Sequence, residues 1–271
     1  MEWNLEHMLV SLQPKNVSNL FIRLLVILII FVILYMGWMK LKISWLESDL
    51  QLAIRWEGLY LDKNFRDIGD SINQCYGSEV MRSGLIFRSN GWFSGWNCNK
   101  IGNPETIYSL NYDPEKKDFF FCWDSHEQRI NIGKVLNPTI KLSELEFLNT
   151  WENTEMRISA CNILKDIFIS IQQHKTTLIH CDAGRDRTGV YSSILTAIAA
   201  ESSGALNQSM LEAIECDYRK TASLHPEKYG RMENFIKQIL KKYSVTQFLA
   251  SQCQIPEKDI RQVGTILAEL Q

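Results

Sequence analysis

Hydrophobic positions follow three different rhythms along this chain. From Leu24 to Met39 the sequence LLVILIIFVILYMGWM is apolar on every side, and extended back to Leu20 the run is broken only by Arg23. About 20 such residues cross a bilayer as one helix. Arg23 near one end is placed to snorkel, Tyr35 and Trp38 near the other suit the headgroup region, and Lys40 and Lys42 follow at once. The run is apolar on all sides and too long for a buried core helix. A cleaved signal peptide would carry a small-x-small pattern, and none follows Met39. The pattern predicts an N-terminal tail over 1–19, a transmembrane anchor over 20–39 and a juxtamembrane segment over 40–54, helical from Ile43 to Trp56.

The second rhythm is short and β-rich. Gly84–Arg88 (GLIFR), Thr106–Leu110 (TIYSL) and Phe119–Trp123 (FFFCW) are predicted strands set between turn-forming residues. The third is helical: Met156, Ala160, Ile163, Ile167 and Ile171 recur at helical spacing from Glu155 to Gln172, behind Asn153 or Thr154 as cap. TTLIH (Thr176–His180) then predicts a buried strand and Val190–Ala200 a packed helix, followed by helices capped at residues such as Asn207, Ser223 and Pro256. The order of helix, strand, tight loop and helix predicts an α/β domain over 55–271, a central sheet flanked by helices with its active loop at the carboxyl end of a strand.

Composition narrows the function classes. The 271 residues are 45% hydrophobic and 22% charged, which suits one globular catalytic domain. A net charge of −2 supplies no long-range attraction to nucleic acid, so none is expected as a partner and any anion must be held by a local array of donors. Seven cysteines, an odd number without paired spacing, predict a reduced compartment. Without a CxxC pair or a His/Cys cluster, no metal or other cofactor is expected.

The candidate chemistry lies in His180-Cys181-Asp182-Ala183-Gly184-Arg185-Asp186-Arg187-Thr188-Gly189. Five residues between Cys181 and Arg187, among them Ala183 and Gly184, let the backbone curl so that successive N–H groups make an anion-binding nest, here from Asp182 through Arg185 to Arg187. A helix opening near Arg187 adds its positive end. Those dipoles and the Arg187 guanidinium favour a Cys181 thiolate. Arg187 can grip two phosphate oxygens, and Thr188 can steady the sulfur when it leaves. Strand, His180, internal Gly and helix-opening Thr-Gly together make this pattern far more specific than Cys-x5-Arg alone.

At these residues the sequence resembles the protein-tyrosine-phosphatase superfamily, and HCDAGRDRTG is most similar to the atypical bacterial tyrosine and lipid phosphatases with HCxAGKDRTG. NFRDIGD (Asn64–Asp70) resembles their NxRDxGG motif, GLIFRSN (Gly84–Asn90) their G-x-x-x-RS segment, and ECDYRKT (Glu215–Thr221) the family's end. The similarity runs from about residue 55 to 271 and implies a phosphatase-like fold, with Cys181 as nucleophile, Arg187 as clamp and Asp186 as general acid. Standard tyrosine phosphatases carry the acid on a separate WPD loop, for which Asp124 in Cys122-Trp123-Asp124 is the analogue. Arg66 and Asp67 are expected to orient the loop, to meet substrate, or to form a buried pair. No copy of the family's DLR strand stands between Trp92 and Gln128, where Trp92, Trp96, Asn97 and Asn99 suggest a divergent lid or surface packing.

The resemblance implies a phosphorylated protein as substrate or, because Arg185 stands where the family often has Lys, a phosphoinositide that the anchor would concentrate at the membrane. A single-pass membrane protein with a cytosolic catalytic domain is the expected arrangement. A non-catalytic binding module would lack the cysteine, the arginine or the loop glycine, and all three are present. Persulfide and arsenate enzymes share such loops but rarely continue with Arg-Thr-Gly.

Overall fold

A computed structural model of the chain describes residues 25–38, 64–91, 96–111, 121–124, 126, 129–131, 135–136, 138–221 and 224–269. It divides into two units, 1–53 and 54–271. In the first, residues 25–38 form a helix, α1, whose apolar side chains are exposed on every side. At about 1.5 Å per residue its described part is roughly 21 Å long. Among the described residues no helix is long and apolar enough to cross a membrane. The ends of the expected anchor, at 20–24 and at Met39, and the juxtamembrane stretch 40–54 lie outside the described residues.

The second unit is a mixed α/β fold with helices packed around a central sheet. Five strands run in the order β1 (Arg66–Asp67), β2 (Ile86–Asn90), β8 (Thr177–Cys181), β4 (Thr106–Ser109) and β7 (Val135–Leu136). β1 is antiparallel to β2, and the other neighbours are parallel. Side chains of β8 are buried throughout, which explains why TTLIH is a continuous apolar run rather than an alternating one. The register sets Asn90 beside Cys181 and both Ser89 and Ser109 beside His180, so three parallel strands end together around the loop.

FFFCW is only partly as expected. Phe121–Trp123 (β5) is a strand, but it belongs to a separate three-stranded sheet with β3 (Trp96–Asn97) and β6 (Arg129–Asn131). Its apolar run packs Cys122 into a small satellite core with Phe65, Phe87, Cys98, Ile101, Ile107 and Leu178.

The helices hold the main core. After α2 (Ile68–Tyr76) comes α3 (Thr154–Gln172), capped by Asn153 Oδ1 accepting from Met156 N at 3.0 Å. α4 (Asp186–Ser203) follows the loop, beginning four residues before the apolar run that announced it. It is buried on almost every face and packs on α8 (Glu257–Ala268), where Gly264 allows the approach because a Cβ there would strike Ser202 and Ile198. Between them run α5 (Gln208–Arg219), capped by Asn207, α6 (Arg231–Leu240) and α7 (Val245–Cys253). Pro256 stands at the N-cap of α8 without a side-chain bond, and Ser223 lies outside the described residues.

The cysteines correct the expectation of reduced thiols. Cys75–Cys216, Cys98–Cys122 and Cys161–Cys253 are disulfides, and Cys181 alone is free. Pairs 141, 24 and 92 residues apart leave no spacing signature in the sequence. Such bonds persist in oxidising surroundings and are rare where glutathione keeps thiols reduced.

Candidate active site

Cys181 is the last residue of β8 and is 2% exposed, at the foot of the loop that leads into α4. The loop's shape is fixed from outside, carbonyl by carbonyl. Asp182 O accepts from Gly91 N at 3.2 Å. Ala183 O and Gly184 O accept from Asn64 Nδ2 at 3.5 and 2.5 Å, and Arg88 Nη2 adds a bond to Gly184 O at 2.8 Å. Arg185 O accepts from Gly189 N at 2.5 Å and from Arg88 Nη2 at 3.4 Å. In a trans peptide the next N–H points opposite to the carbonyl. Four carbonyls drawn outward leave the N–H groups of residues 183–186 facing the other way, the arrangement that an anion-binding nest requires.

Gly184 has φ +62°, and a Cβ there would fall on the Ser89 carbonyl. Glycine is required twice over, for its backbone angle and for its closeness to β2. Asn64 also adopts positive φ, +50°, a region that Asn tolerates better than most residues.

Behind the loop stands a buried ionic cluster. Asp217 on α5 accepts from Arg66 Nε at 2.6 Å, from Arg88 Nη1 at 2.5 Å and from Ser71 Oγ of α2 at 2.7 Å. Arg66 also donates to Asp217 O at 2.7 Å and to Asn64 Oδ1. Burial alone would raise the Asp217 pKa, but the two guanidiniums hold its carboxyl well below the usual carboxylate range. Burial, with the neighbouring Arg66 charge, pulls Arg88 down to about 10 against the opposing charges of Asp217 and Cys181, so it remains a cation at neutral pH. NFRDIGD, GLIFRSN and ECDYRKT thus meet here, and Asn64, Arg88 and Asp217, to which no role was assigned from sequence, hold the loop. Arg66 bonds to Asp217 and Asn64 and so joins the cluster behind the loop. Asp67 is not part of this cluster: its carboxylate caps α2 through Asp70 N at 3.2 Å and accepts from Gly84 N, and burial lifts its pKa to about 6.

Arg187 donates from Nη1 to Leu110 O at 2.7 Å and from Nη2 to Asp182 Oδ2 at 3.0 Å. Asp182 is exposed, and its N–H donates to Asn111 Oδ1 at 3.0 Å. Asp186 opens α4 with both oxygens engaged, one accepting from the Tyr218 hydroxyl and the other from Lys228 Nζ at 2.6 Å. Burial raises its pKa, but those two bonds and the charges of Lys228 and Arg185 outweigh it and hold the carboxyl below its ordinary value. His180 is fully buried, and that burial drops its pKa to about 3, leaving a neutral packing group beneath the loop. Thr188 is also fully buried, with no partner for Oγ1 among the described residues. Asp124 follows β5 in the second sheet, its carboxylate accepting from His126 N at 2.8 Å. No group of residues suited to a metal occurs among those described.

Residues 146–269, from just before α3 to the end of α8, match the family model described as tyrosine phosphatase family. This part of the chain is similar to that family. The tyrosine phosphatase match takes in Cys181, the whole loop and Asp217, while Asn64, Arg66 and Arg88 lie outside it. No curated protein matches the chain. Tyr218 and Lys228 fall within the matched stretch but carry no signal of their own, since their role depends on a fold that brings them to Asp186.

Proposed function

We propose that the catalytic unit hydrolyses phosphate monoesters through a phosphocysteine intermediate, with protein phosphotyrosine as the substrate. The observation that carries this reading is the sole free thiol of the chain lying buried at the foot of a loop whose carbonyls are all tied outward. An inward ring of N–H groups, with the start of α4, stabilises both a thiolate and the three equatorial oxygens of a phosphoryl group in flight.

Cys181 Sγ attacks phosphorus, the bond to the leaving oxygen breaks, and Asp186 gives that oxygen its proton. Arg187 exchanges Asp182 for two phosphate oxygens as charge spreads over them. Water then attacks phosphorus, the P–S bond breaks with its electrons returning to sulfur, and Asp186 takes the proton from water. Thr188 Oγ1, a buried donor without another partner among the described residues, steadies the departing thiolate. Asp186 works as an acid only while protonated, so its lowered pKa favours turnover on the acid side of neutrality.

A phosphoinositide is the second reading, favoured by Arg185 and Lys228, whose charges both reach Asp186 at the rim of the loop. We also propose that 20–39 anchors the protein in a membrane, and that the three disulfides favour its oxidising side over the cytosol expected from sequence. The full chain should hydrolyse an aryl phosphate without added metal, and Cys181→Ser should abolish this. Residual turnover in that variant would overturn the mechanism, and phosphopeptides tested beside a phosphoinositide series separate the two substrates.

A further inference from the structure

One disulfide stands apart from the other two. Cys98–Cys122 and Cys161–Cys253 are buried, whereas Cys75 and Cys216 are both half-buried and open to a small reductant. Cys75 is on α2, the helix that carries Ser71, and Cys216 is on α5 next to Asp217. Ser71 Oγ donates to Asp217 Oδ1 at 2.7 Å, and Lys220 Nζ crosses the same seam to Ser71 O at 3.2 Å and Gln74 Oε1 at 3.1 Å. From Asp217 the chain of bonds runs through Arg88 to the carbonyls of Gly184 and Arg185.

We infer that the Cys75–Cys216 disulfide positions the active loop, so that the phosphatase runs at full rate oxidised and is slowed when this accessible bond is reduced. The inference rests on the phosphatase reading of Cys181. A dithiol reductant would supply two electrons to the S–S bond and two protons to the sulfurs, leaving thiols at Cys75 and Cys216 and a cyclic disulfide of the reductant. α2 would then be held to α5 at this seam only by hydrogen bonds, and the Asp217 carboxylate would gain freedom to shift. A displacement of about 1 Å would matter, because a misplacement of that size can reduce turnover about a hundredfold. The reduced state leaves Cys181 chemically unchanged, which separates this device from direct oxidation of the nucleophile.

The test compares full-length wild type, Cys75→Ser/Cys216→Ser and Cys161→Ser/Cys253→Ser. For each, kcat and KM on an aryl phosphate and the pH profile of Cys181 alkylation by iodoacetate are measured. The first double variant should lose roughly tenfold in kcat with KM little changed and should alkylate more slowly near neutral pH, as expected for a less well stabilised thiolate. The second should lower Tm and leave both readouts at their wild-type values. If the first double variant does not fold, wild type is titrated with dithiothreitol, and thiols at Cys75 and Cys216 are mapped by mass spectrometry against the same readouts. Wild-type kcat and alkylation after removal or verified reduction of this disulfide would overturn the inference, and so would a folded, active wild type in which both cysteines are free thiols. Turnover that survives Cys181→Ser would instead remove the phosphatase reading, whatever the disulfide does.

Discussion

Asp217→Asn is the sharpest test of how the loop is held. The substitution keeps the shape of the side chain and removes the charge that Arg88, with a fully buried side chain, and Arg66, 11% exposed, both face. One amide oxygen cannot replace two carboxylate oxygens as acceptor for two guanidiniums and the Ser71 hydroxyl, and the amide NH₂ adds a donor where only donors point in. Breaking a buried ion pair by removing one partner costs about 3–5 kcal/mol. With a urea dependence of about 2 kcal/mol per M, the unfolding midpoint at pH 7 should fall by about 2 M. Trp151, buried against Phe235 and Phe248, offers a fluorescence reporter beside circular dichroism. The pH dependence adds a second check. Because the folded Asp217 pKa is depressed, its contribution is fully present above the unfolded value near 4 and is lost as pH falls below it toward the folded value. The gap between wild type and variant should therefore be widest at neutral pH and shrink at about pH 3. A variant within 1 kcal/mol of wild type at pH 7, or a gap that stays constant into acid, would refute a charged Asp217 as the anchor.

Gly184→Ala should reduce kcat/KM by roughly a hundredfold or more, because the new methyl meets the Ser89 carbonyl and the loop must move; near-normal steady-state kinetics would show that the loop does not need this geometry. Lys228→Met removes the ammonium that helps to hold Asp186 down, so the descending limb of the kcat/KM pH profile should move to higher pH; an unmoved limb, read beside an Asp186→Asn control, would take the acid role from Asp186. Asp182→Asn frees Arg187 from a competing carboxylate, so inorganic phosphate should inhibit roughly two- to fivefold more tightly at low salt and less so at high salt; weaker inhibition would mean that Asp182 helps to hold phosphate.

What the sequence made legible was local. The strand ending in Cys181, the loop and the helix after it are contiguous, and their burial pattern is written in adjacent residues. α3 matched its spacing within one residue because Asn153 caps it. The start of α4 was legible near Arg187 from the loop pattern, one residue from Asp186, whereas the apolar run alone, from Val190, would have begun it four residues late. The second sheet was hidden because its strands are two or three residues long and β3, inside the Trp-rich stretch, pairs with β5 further along the chain. The disulfides were hidden for a different reason: pairing is a property of the fold, and an odd cysteine count concealed that the one left over is Cys181, at the foot of the loop.

The cluster of Arg66, Arg88 and Asp217 shows why the rest needed three dimensions. As a source of stability it is a poor choice, since a buried ionic group is often no better than well-packed apolar side chains of equal volume. Its geometry explains it better. An apolar residue at 88 would fill the space but could not donate, and with only the bond from Asn64 on Gly184 O and the bond from Gly189 N on Arg185 O these carbonyls would be freer to turn inward. Turned inward, each would present a negative dipole to an anion and swing the next N–H away from it. Arg88 supplies the donor, Asp217 makes a buried cation at that place tolerable, and Arg66, bonded to both Asp217 and Asn64, ties the second donor to the same carboxylate. The charge behind the loop is thus a consequence of what the loop must do in front, and that is a relation between residues 64, 66, 88, 184 and 217 that no single stretch of sequence contains.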